Sequence, residues 1–67
     1  MLPERVIRKM EEYADSIMRD SRQMTREYYC ALREEIHAFF HSESISEEEL
    51  IGTPLDGPME CLENLIG

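Results

Sequence analysis

Cys30, Glu34, His37 and His41 come closest to a chemical constellation in this chain. Their steps of 4, 3 and 4 place all of them on one side of a helix, opposite Leu32, Ile36 and Phe40. Imidazoles at i,i+4 form a two-point chelate for Zn²⁺, Ni²⁺ or Cu²⁺, so His37 and His41 are the candidate metal ligands. Glu34-x-x-His37 also has the i,i+3 form used in di-iron bundles, but those need a second copy of the pair and further carboxylates. Cys30 and His41 stand ~16 Å apart along a helix axis and do not share one ion. The plainer expectation is that these are solvated polar residues, the histidines interacting with the dipole at a helix C-terminus. No cofactor is expected.

Arg19, Arg22, Arg26 and Arg33 form a second candidate. On a continuous helix they fall within about 60° of one another, and Tyr28 and Tyr29 nearby could stack on bases. A formal net charge of −8 opposes that use, because it repels phosphate at long range. Facing the chain's own carboxylates, from Glu43 to Glu49, is the structural alternative for these arginines. Nucleophilic catalysis lacks its signatures: there is no Gly-x-Ser-x-Gly turn, phosphate-cradling glycine loop or His-Glu-x-x-His pair. We expect a protein that is not an enzyme.

The elements that must position these residues are helices. Val6, Ile7, Met10, Tyr13, Ala14, Ile17 and Met18 recur at three- and four-residue steps. Met24, Tyr28, Ala31, Leu32, Ile36, Phe39 and Phe40 continue with the same period. Asp20-Ser21-Arg22-Gln23 reads as a capping signal that starts a second helix, giving a helical hairpin. One long helix over 4–41 is the alternative, since neither Gly nor Pro interrupts that stretch; it would run ~58 Å and need a second chain to cover it.

Composition changes near Ser42. All 7 basic residues lie before it, whereas the final 26 residues hold 7 of the 15 acidic ones and every glycine. We therefore divide one small all-α domain into a main helical segment, 3–41, and an acidic arm, 42–67. Within the arm, Ser46-Glu47-Glu48-Glu49 is a capping-box start, and Gly52-Thr53-Pro54 ends that turn. Asp56-Gly57-Pro58 opens a final helix with Met59, Leu62, Leu65 and Ile66 on one face.

A chain of 67 residues hides only ~60% of its unfolded surface on folding, which leaves it near the margin where a partner helps. The expectation is a dimeric bundle that serves as a non-catalytic protein–protein interaction module, an adaptor or inhibitor. Its partner-binding residues would be Leu50, Ile51, Leu55, Met59, Leu62, Leu65 and Ile66, and Leu62→Glu should then abolish capture while sparing the helicity of 4–41. Two alternatives are carried: an acidic nucleic-acid mimic that blocks a basic groove on another protein, and a metal-dependent switch at His37 and His41. No run of apolar residues approaches the ~20 of a spanning helix, and the first residues lack the apolar stretch of a signal peptide. With only 2 cysteines, Cys30 and Cys61, the expected setting is cytoplasmic.

Overall fold

The Pro3 carbonyl accepts hydrogen bonds from the amides of Val6 (3.0 Å) and Ile7 (3.1 Å), and so begins the first helix. The computed structural model describes residues 2–19 and 24–67. Helix α1 spans Glu4–Arg19, α2 spans Arg26–Ser42 and α3 spans Asp56–Ile66, with a single 3-10 turn at Glu48–Leu50. Among the described residues there is no strand, and no helix is long and apolar enough to cross a membrane.

Helix α1 follows the expected stripe: Val6, Met10, Tyr13 and Ile17 are buried at steps of 4, 3 and 4. Helix α2 departs from its expected beginning. It starts after Thr25, whose hydroxyl accepts the Tyr28 amide at 3.2 Å in an N-cap, while the capping signal read at Asp20–Gln23 lies outside the described residues. Met24 therefore precedes the helix and is 44% exposed, and Met18, near the end of α1, is 56% exposed. Neither joins the core as the periodicity implied. The helical phase set at Thr25 buries Tyr29, Leu32 and Ile36, leaves Tyr28 half-buried and turns Ala31 outward.

The long-helix alternative fails on distance. Arg5 and Glu43 touch at 3.0 Å, and the longest dimension of the molecule is 33 Å against the ~58 Å that alternative needs. The rings of Tyr13, on α1, and Phe39, on α2, meet with centroids 5.7 Å apart. These bulky rings fill space between the two long helices, whose backbones approach each other less closely than α3 approaches either. Leu55, Leu62 and Ile66 pack into the same core as Val6, Met10 and Ile36. Burial of their side chains, each worth about 1.5–3 kcal/mol, holds the arm down.

The connection between α2 and α3 is built from local hydrogen bonds. Glu43 donates its amide to Phe39 O, Ser44 to His41 O and Ile45 to Phe40 O (2.8 Å), with Ser44 in the left-handed region at φ 56°. This is a Schellman ending with serine where glycine is usual. Glu49 Oε1 accepts from both the amide and the hydroxyl of Ser46 at 3.2 Å, which is half of the expected capping box. Only one turn follows it. Gly52 then takes φ +82° and donates its amide to Asp56 Oδ2 at 3.3 Å, leading the chain into α3.

Candidate functional site

The Schellman ending turns Ile45 back beside Phe40, as such motifs do through the hydrophobic contact they bring with them. Leu50, from the 3-10 turn, and Met59, from the first turn of α3, join them. Together these apolar side chains floor an open groove of about 610 Å³ at the end of the molecule where α2 finishes and α3 begins. Its rim is polar. Glu47, Asp56, Glu60 and Glu63 stand on the arm side, His37 and His41 on the α2 side.

The rim carboxylates differ in how they are satisfied. Glu63 Oε2 receives Arg33 Nη1 at 3.1 Å, and Asp56 accepts the Gly52 amide. Among the described residues no cation pairs with Glu47, Asp56 or Glu60. The described ion pairs instead join Arg5 to Glu43, Arg8 to Glu4, Arg19 to Asp15 and Arg33 to Glu63. The groove thus joins an apolar floor to a rim on which Glu47, Asp56 and Glu60 have no cationic partner among the described residues. Among the described residues no buried side-chain N or O atom lacks a hydrogen-bond partner.

The expected site residues are distributed over three environments. Leu55, Leu62 and Ile66 are buried in the chain's own core, and Leu65 is half-buried against it. Leu50 and Met59 are half-buried and line the groove. Ile51 is 75% exposed and lies in a separate shallow hollow with Leu2, Ile7 and Pro54. The arm's apolar face, read as waiting for a partner, packs in part into the same core as the stripes of α1 and α2. Leu62→Glu would therefore place a charge in the core, and the expectation that it spares the helices is corrected.

The constellation on α2 is divided between two surfaces. Cys30 and Glu34 border a hollow with Arg26 and Glu27, whereas His37 and His41 border the groove. Both histidines are exposed, and the described residues contain no group of three or more His, Cys, Asp or Glu placed to hold an ion. Cys30 and Cys61 are free, half-buried thiols. The arginine stripe also does not persist. Arg19 pairs with Asp15 on its own helix, Arg33 with Glu63 on α3, and Arg22 lies outside the described residues.

Phe40, Ile45, Glu47, Asp56 and Glu60 are groove residues that the sequence reading did not assign to a site. The positive φ of Ser44 folds Ile45 back onto Phe40, four residues before that serine, and serine carries no strong signal for that conformation.

The described residues form a small all-helical fold with an apolar, acid-rimmed groove at the end where α2 finishes and α3 begins. The chain matches no protein-family model, no curated protein and no solved structure.

Proposed function

We propose that this protein is a non-catalytic interaction module, a helical hairpin closed by its own arm, that binds another protein as an adaptor or inhibitor. The observation that carries this reading is the groove floored by Phe40, Ile45, Leu50 and Met59 and rimmed by carboxylates. An exposed apolar concavity with polar edges is the form that accepts an amphipathic segment of a partner. A photo-crosslinking residue at Glu60, on the rim, should give one discrete adduct in cells of the source organism. The same residue at Glu11, on the exposed face of α1, should not. Adducts of equal yield from both positions would refute the groove as the functional surface.

A second copy of the chain is proposed as an additional partner on separate ground. Among the described residues Met18, Met24 and Ile51 are the large apolar side chains left exposed, and a homodimer would cover them. Native mass spectrometry checks this: a species near twice 7.9 kDa supports it, and a monomer alone removes it.

The acidic rim also favours a second reading, in which carboxylates stand where phosphates would and occupy a basic nucleic-acid groove on another protein. Binding in that case should collapse between low and moderate salt and ignore changes to the apolar floor.

A further inference from the structure

Resting on the interaction-module reading, we propose that the groove takes a cationic amphipathic helix of a partner protein. Its apolar stripe would seat on Phe40, Ile45, Leu50 and Met59, and its Lys or Arg flanks would face Glu47, Asp56 and Glu60.

The floor alone would accept any apolar stripe. The charges select among them. A neutral or acidic occupant would strip water from the rim carboxylates and return nothing, and unpaired desolvated charge is costly. A second copy of this chain is a poor source of the missing cations. It carries net charge −8, and among its described basic residues Arg5, Arg8, Arg19 and Arg33 are held by Glu43, Glu4, Asp15 and Glu63, which leaves Arg26 as the arginine in no ion pair. Lys9 sits over the Tyr13 ring, 5.1 Å from its centroid. One unpaired arginine does not match three rim carboxylates, and a partner that brings several cations beside an apolar stripe does. A helix with Leu at three- and four-residue steps and Lys or Arg beside them supplies both.

The test uses the full ¹⁵N-labelled chain and synthetic peptides of about 18 residues, roughly five helical turns. One carries Leu on one face and Lys on the other. In a second, Glu replaces Lys; in a third, Gln replaces Leu. We expect the Leu/Lys peptide to shift the amide resonances of residues 40–50 and 56–60 saturably, and to bind at least about tenfold tighter than the Leu/Glu peptide. The double change Glu47→Lys, Glu60→Lys should invert that preference. Both residues are exposed, so the melting temperature should hold, and Glu47→Gln, Glu60→Gln offers a milder version that should reduce the preference without inverting it.

Equal binding of the Leu/Lys and Leu/Glu peptides at the groove would overturn the cationic assignment and leave the module reading standing. Equal binding of the Lys/Gln peptide would show the floor unused, overturning the amphipathic helix in favour of phosphate mimicry. Shifts centred on Met18 and Met24, or none with any peptide, would remove the groove and the module reading built on it together.

Discussion

Arg5 and Glu43, 38 positions apart, meet in a two-pronged ion pair, with Nη1–Oε2 and Nη2–Oε1 both at 3.0 Å. The pair ties the first turn of α1 to the residue that follows α2. Hydrogen bonds from the Arg5 guanidinium hold the Glu43 carboxyl below its ordinary value of 4.5; partial burial opposes this and the arginine's charge adds to it. A lowered folded-state value means that the pair's contribution is full above the ordinary carboxylate range and is lost as pH falls through the folded value. Melting temperatures of the wild type and Glu43→Gln should therefore differ at neutral pH and converge as pH falls below the ordinary carboxylate range. A gap that persists unchanged at the acid end would show that the glutamate acts through something other than its charge.

Ser44 pays for the turn that places Ile45 beside Phe40. A non-glycine residue at φ 56° costs roughly 1 kcal/mol, offset in part by the greater freedom glycine has when unfolded. Ser44→Gly should raise the melting temperature by about 2–6 °C in a domain of this size, as measured by circular dichroism at 222 nm, and Ser44→Val should lower it. A fall with glycine would mean that the serine side chain contributes more than its backbone conformation costs.

Leu62 is fully buried in α3, where α1 and α2 are both close. Truncation to alanine should cost about 2–5 kcal/mol, of the same order as the whole stability of a domain this small. Leu62→Ala should accordingly lose helical signal from the entire chain in one transition at a lower temperature. If α1 and α2 kept their full helicity while only α3 melted, the arm would be a separable unit and not part of a shared core.

Tyr13 is buried beside Phe39. Burial pushes its phenol above the ordinary value of 10, and the charges of Glu35 and Glu12 push the same way. For an acid raised in the folded state, stability falls as pH climbs past the unfolded value toward the folded one. Phenolate absorbance near 295 nm should contain a component titrating above about pH 10, and Tyr13→Phe should remove it. Its survival in that variant would assign the late titration to another group.

Much of the helical content was legible in the amino-acid order, because local periodicity carries it. Val6, Met10, Tyr13 and Ile17 keep the spacing of one face whatever they pack against, and Gly52-Thr53-Pro54 interrupts helix by its own backbone preferences. The acidic arm and its final helix were visible on the same grounds. Two starts show the limit of local reading. The capping box read at Ser46–Glu49 made only one turn, while Thr25, which was not read as a cap, began the 17-residue α2. Caps choose where a helix can begin, and packing decides how far it runs.

The tertiary structure alone decided what the arm's apolar face does. Leu55, Leu62 and Ile66 have the same periodicity whether they meet a partner or their own chain, since spacing specifies a face and not its occupant. Closure of the core by α3 turned three of the seven expected binding residues, Leu55, Leu62 and Ile66, into interior. It also moved the candidate site to a place no helical wheel displays, where Phe40, Ile45, Leu50 and Met59 come together from separate elements. Such a groove depends on the left-handed turn at Ser44 and on α3 lying beside the end of α2, relationships in space that no run of neighbouring residues encodes.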